Sequence, residues 1–264
     1  MSKLGERLER MSEGGGQALG FGAAVNRVKT LPMLLIATLS EGDARAAAAA
    51  AAAGVDAIII SGVSPQKMDQ VADKIKKDMA DIPWGVSLDS VTRDGMERLA
   101  NIGCDFVVFS AAGSQASALN VEGIGKVLKI APSMEDNLLR GVHRLPVDAV
   151  LLNDSGASEA TLTVEQLMEC ERLAAGSGKH LIAAMPSGLI DDMESLWVLG
   201  VQAVAVALGA DDPEKALSLA REAMEKLPAK RRRPGKSRMA SLPISSGAQD
   251  AGPPDEDDEE EEEE

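Results

Sequence analysis

The chain has 264 residues, 45% of them hydrophobic, enough for one sizeable core and close to the roughly 250 residues of a single barrel domain. Its formal net charge of -15 argues against a nucleic-acid surface and against binding to anionic membranes. Aromatic residues make up 2% with no Tyr, which speaks against platforms built on base or sugar stacking.

Residues 1–30 read as a Gly-rich extension carrying a short helix. The opening MSKLGERLERMSEGGGQ is charged and has no apolar core, so it does not resemble a secretory signal. Cys104 and Cys170 form no motif, and two such thiols without a signal point to a reducing, cytoplasmic setting. No apolar run approaches the ~18 residues of a membrane span.

Residues 31–228 alternate short apolar, β-branched runs with longer helical patterns. Eight strands are predicted: Met33–Thr38, Ala57–Ser61, Trp84–Leu88, Phe106–Ser110, Lys126–Ile130, Ala149–Asn153, Leu181–Met185 and Ala203–Leu208. They are continuous rather than alternating in hydrophobicity, as expected when both faces are covered. Ser64-Pro65 and Asp212-Pro213 read as N-cap followed by Pro at the first helical position. Thr163 with Gln166 has capping-box spacing, and Ser133 with Asp136 a looser form of it. Gly54, Gly103 and Gly200 fall just past helical patterns, where a left-handed cap is wanted. The run Ala46–Ala53 has high helix propensity and small side chains suited to close packing.

One short signal recurs. Gly54-Val55-Asp56-Ala57, Gly103-Cys104-Asp105-Phe106, Pro146-Val147-Asp148-Ala149 and Gly200-Val201-Gln202-Ala203 precede the second, fourth, sixth and eighth strands. Repeated βαβα units produce that periodicity, and the fold expected is a closed (β/α)8 TIM barrel. The competing architecture is an open doubly wound sheet. Residues 229–264 hold 11 acidic and 6 basic residues, with a Lys230–Arg233 cluster and an acidic end, and read as a disordered tail.

In such a barrel, function sits where strands end. The segment Met185-Pro186-Ser187-Gly188-Leu189, the helical stretch Asp192–Leu196 and the run Leu199–Gly209 resemble the closing quarter of the phosphate-binding barrels. That group includes indole-glycerol-phosphate synthase, thiamine-phosphate synthase and the FMN-binding nitronate monooxygenases. The resemblance covers roughly residues 183–220. It implies a phosphate held on backbone N–H groups at Ser187, Gly188 and Gly209. Ala210-Asp211-Asp212 departs from the pattern, because two carboxylates beside a phosphate are unfavourable. No Ser, Thr or Arg completes the turn, and Asp212 also reads simply as a helix cap.

Lys129, inside the apolar strand VLKIA, is the leading catalytic candidate. If it points inward it can form a Schiff base or hold a phosphate or carboxylate. Alternation places Lys126 and Lys129 on opposite faces without saying which is inside. Asp89 and Asp154 end the third and sixth strands and are candidate general bases. With Glu41 they offer oxygen ligands for a divalent cation, though each also suits a turn. Ser61, Ser110 and Asn153 complete the mouth. Neither His143, late in a helix, nor His180, at the start of a strand, is placed for acid–base work, so no metal site is predicted. No G-x-S-x-G elbow, P-loop or CxxC occurs.

Three functions follow. The first is an enzyme of lyase, aldolase or isomerase type acting on a small, anionic, phosphorylated or carboxylated metabolite. The second is an FMN-dependent oxidoreductase similar to nitronate monooxygenase. The third is a non-catalytic barrel that acts through binding.

Overall fold

The computed structural model of the protein describes residues 2–12, 31–64, 67–79, 81–152, 162–185, 192–209 and 212–227. All belong to one compact unit, Met1–Lys230. The tail reading of 229–264 lies outside the described residues. Eight parallel strands are present: β1 (Leu34–Ser40), β2 (Ala57–Ser61), β3 (Trp84–Ser87), β4 (Phe106–Ser110), β5 (Gly125–Ile130), β6 (Ala149–Leu152), β7 (His180–Met185) and β8 (Ala203–Ala207). Each pairs with its neighbours in chain order, and β8 pairs back to β1, so the sheet is a closed barrel and not an open one.

Closure gives every strand two buried faces, which is why the strands are continuously apolar. Leu34, Ile36, Ala57, Ile59, Phe106, Val108, Val127, Leu151, Ile182 and Ala205 fill the interior. The alternate residues, among them Leu35, Ala37, Ile58, Val107, Leu128, Val150 and Val204, form the layer under the helices. Phe106 is fully buried within the barrel, and Gly85 makes room for it. A Cβ on Gly85 would lie 2.5 Å from both the Phe106 ring and its carbonyl oxygen.

The helices are α1 (Lys3–Ser12), α2 (Ala44–Ala53), α3 (Met68–Asp78), α4 (Arg93–Asn101), α5 (Asp136–Val142), α6 (Val164–Ser177), α7 (Met193–Leu199) and α8 (Pro213–Lys226). The predicted capping box is present in both directions: Gln166 N donates to Thr163 Oγ1, and Thr163 N donates to Gln166 Oε1. Asp212 accepts from Lys215 N at 3.3 Å, as its reading as a cap requires. Gly54 and Gly200 end α2 and α7 in the left-handed region. Two start signals fail. Ser64 does not cap α3, which begins at Met68; Lys67 N turns back to Ser64 O at 3.0 Å and delays the helix. Pro65 lies outside the described residues. Glu135 and not Ser133 occupies the N-cap position of α5, without a side-chain cap bond, and Asp136 is drawn to Arg172 Nη1 at 2.7 Å. Between β4 and β5 the chain makes only a 3-10 turn, Ala116–Asn120, with Gly113 and Gly123 at positive φ on either side.

The recurring signal before the even strands has a physical basis at the base of the barrel. Asp56 N donates to Leu35 O, and Asp56 Oδ2 accepts from Leu35 N at 2.9 Å. Asp148 does the same with Lys126, and Gln202 with Leu181. Each polar residue thus clamps the first turn of the preceding odd strand through both its backbone and its side chain. Asp105 keeps the backbone half, donating to Trp84 O, but spends its carboxylate on Lys3 N and Leu4 N at 2.8 and 2.9 Å. Those are unpaired N–H groups of the first turn of α1, which a carboxylate satisfies and whose dipole it complements. Arg7 adds a bond to Asp56 O. Leu4 and Leu8 are then buried among the interior residues, each contributing roughly 1.5–3 kcal/mol. The helix predicted within 1–30 closes the floor of the barrel.

Candidate functional site

Alternation carries the interior face of each strand up to the mouth. The inward residues at the upper ends of β1 to β5 are Thr38 and Ser40, Ser61, Ser87, Ser110 and Lys129, all partly exposed except Ser40, which is exposed. On β7 and β8 the corresponding positions are Ala184 and Ala207. The mouth therefore has an arc of hydroxyls ending in one amine, and an opposing arc of alanines.

Lys129 has the inward parity of Val127, and Lys126 faces the helices with Nζ 3.4 Å from Ile124 O. The question left open by alternation is thus resolved in favour of Lys129. Its Nζ donates to Leu88 O at 3.0 Å. The nearest carboxylate is Asp89, 4.0 Å away. The Lys129 side chain is 17% exposed, whereas that of Asp89 is fully in solvent. Burial pulls the Lys129 amine below its ordinary 10.5, with Asp89 opposing. A fully solvated carboxylate at that separation is a weak counter-charge. Ser110 lies directly beside Lys129 across the β4–β5 pair, and Ser61 Oγ donates to Leu39 O at 3.1 Å.

The remaining predicted residues divide. Glu41 has the helix-facing parity of Leu39, and its partner is Lys67 at 2.8 Å. It lines a cleft of about 190 Å³ between α2 and α3, floored by Leu39, Ile60, Val71, Ile75 and Met79. Among the described residues no group of three or more His, Cys, Asp or Glu is placed to hold a metal ion. Gly209 is exposed, and it is not at positive φ. A Cβ there would meet nothing within 4 Å. Turn geometry does not demand glycine at this position. Asp212 caps the first turn of α8 and lies 3.8 Å from Arg45. Asn153, Asp154, Ser187 and Gly188 lie outside the described residues.

Both histidines sit away from the mouth. His180 is the first residue of β7, and burial lowers its pKa. His143 is the C-cap of α5. Burial pushes the Cys104 thiol up to about 12, which makes it a poor nucleophile. Two features of the site escaped the sequence: the Leu88 carbonyl that holds the amine, and Ser114, whose hydroxyl donates to Ser110 O at 2.6 Å and accepts from Val91 N at 3.1 Å. A backbone acceptor leaves no trace in residue types, and Ser114 looks like any serine in a turn.

No protein-family model matches the chain, and no curated protein sequence matches it. Solved structures do. KGPDC from Streptococcus mutans is similar with a TM-score of 0.59 at 14% identity, over 74% of this chain and 98% of that one. A mutant tryptophan synthase alpha-subunit from the hyperthermophile Pyrococcus furiosus gives 0.57 at 16%, over 74% and 97%. A 3-hexulose-6-phosphate synthase gives 0.54 at 19%, over 72% and 99%. At such identities the likeness establishes the shared (β/α)8 fold. Among the described residues no helix is long and apolar enough to cross a membrane.

Proposed function

We propose that the protein is an enzyme of lyase or aldolase type whose mouth binds a small anionic carbonyl compound and uses Lys129 as an amine nucleophile. One observation carries this reading: Lys129 points into the barrel at the end of β5, desolvated, with no buried carboxylate beside it among the described residues. Desolvation favours the neutral amine, the form that attacks a carbonyl. Nζ adds to the carbonyl carbon, the oxygen leaves as water after two proton transfers, and an iminium remains. A base takes the proton of the hydroxyl on the second carbon out, that carbon departs as an aldehyde, and the electron pair of the broken carbon–carbon bond moves into the iminium, giving an enamine. Protonation and hydrolysis then release product and amine. Asp89 is the proton carrier at the rim, and Asp154, two residues past β6 in the sequence, is the candidate second base. Ser61, Ser87 and Ser110 are suited to the polar groups of the substrate, and the open backbone at Gly209 suits a phosphate or carboxylate end. The name of one fold neighbour, 3-hexulose-6-phosphate synthase, favours a phosphorylated substrate.

The test is borohydride trapping with pyruvate, glyoxylate and glyceraldehyde 3-phosphate, read by peptide mass spectrometry. A reduced adduct on Lys129, absent in Lys129→Met, is expected. Adducts confined to surface lysines would refute the mechanism. An FMN site would use the same Gly209 end of the mouth, and purified protein soaked with FMN should then show flavin absorbance that Lys129→Met retains.

A further inference from the structure

We infer that Ser114 is a positioning residue for Lys129: its hydroxyl bolts the loop after β3 to the end of β4 and so fixes the carbonyl that aims the amine. The inference rests on the proposed amine chemistry, since positioning matters only if Lys129 reacts.

The loop in question is short. It leaves β3 at Ser87 and enters α4 at Arg93, with Thr92 as the cap. Leu88 N donates to Val108 O at 2.8 Å, which holds its first peptide on β4. Its far end is held by Ser114. That hydroxyl accepts from Val91 N at 3.1 Å and donates to Ser110 O at 2.6 Å, using one oxygen in both hydrogen-bonding roles. Gln115 N closes the joint by donating to Val91 O at 2.9 Å. Between these two anchors lie the Leu88 carbonyl, 3.0 Å from Lys129 Nζ, and Asp89, the nearest carboxylate. With both ends pinned, the Leu88 carbonyl has little freedom to turn, and the loop covers the amine.

The connection that carries Ser114 is the one, among the described residues, that lacks an α-helix. The chain from β4 turns at once, at Gly113 with φ +76°, and returns beside Ser90. A Cβ on Gly113 would lie 3.4 Å from Ser90 Cβ, an ordinary contact that shows how close the two loops run. A regular crossover would carry residue 114 outward into a helix. The tight turn instead leaves it between the two strand ends. The hydrogen bonds of Ser114 run to Ser110 and Val91, so it acts on Lys129 through the Leu88–Val91 loop.

Loss of the Ser114 hydroxyl frees Val91 N and lets water reach the amine. Two readouts follow, neither needing a substrate. In Ser114→Ala, hydrogen exchange at the Val91 amide should accelerate. Reductive methylation of Lys129 at pH 8, scored by mass spectrometry against the exposed lysines, should slow, because the better-hydrated amine returns toward its ordinary value and is less often neutral. Ser114→Thr keeps the hydroxyl and should restore both. Wild-type labelling of Lys129 in a folded Ser114→Ala protein would overturn the inference, as would continued protection of Val91. If Ser114→Ala does not fold, Ser114→Cys, which keeps a weaker donor, must show an intermediate labelling rate. A wild-type rate there would also overturn it. If instead borohydride trapping fails in the wild type while labelling responds to Ser114, the mechanism fails and the positioning stands.

Discussion

The two ends of the barrel are built from the same strands and treat polar groups in opposite ways. At the base the polar side chains are matched: Asp56, Asp148 and Gln202 to strand N–H groups, and Asp105 to the head of α1. At the mouth the inward cation, Lys129, is held by a backbone carbonyl and faces a carboxylate that solvent surrounds. Matched polar groups specify a structure, whereas a partly buried charge with only a solvated counter-charge costs stability. On the proposed amine chemistry, the base is the stability end and the mouth the reactive end.

That contrast can be broken first at the base. Leu8→Ala removes a fully buried side chain from the floor and should cost about 2–5 kcal/mol in urea unfolding. Lys129 labelling per folded molecule should be unchanged. A parallel loss of Lys129 reactivity would mean that the ends are not separable. Gly85→Ala sets a methyl against the Phe106 carbonyl at 2.5 Å and should cost about 1–3 kcal/mol or more, because a backbone oxygen cannot step aside.

Smaller effects sharpen the comparison. Asp105→Ala should cost about 1 kcal/mol through the lost cap on α1. Asp56→Asn should be nearly neutral at pH 7, since the Gln202 amide already performs the same duty with Leu181. The sign of its pH dependence is fixed. Burial raises the Asp56 pKa above 3.8, so the folded state binds the proton more tightly, and ionisation costs stability as pH rises above 3.8. The variant removes that slope, which thermal melts between pH 4 and 6 would detect. Lys129→Met should gain stability at neutral pH, the reverse of a structural lysine.

Much of this was legible in the residues, for reasons that differ by element. All eight strands could be located because closure leaves them apolar throughout, and the even-strand signal was visible because a clamping Asp or Gln sits one residue before the second, sixth and eighth strands. Asp105 shared the signal but not the duty, because its partner, α1, lies about a hundred residues away. The inward face of β5 was undecidable from alternation alone; it takes Phe106 and Val127 inside a closed ring to set it. Glu41 read as a mouth residue because it follows a strand, whereas parity turns it toward Lys67. The missing helix after β4, and with it Ser114, left no periodic signal.

That Lys129 is a desolvated, reactive amine is tested most directly by its own titration. Methyl-labelled lysines followed by NMR from pH 7 to 11 should show one resonance, absent in Lys129→Met, with a midpoint below the ordinary 10.5. A Lys129 resonance titrating at or above that value would contradict the account.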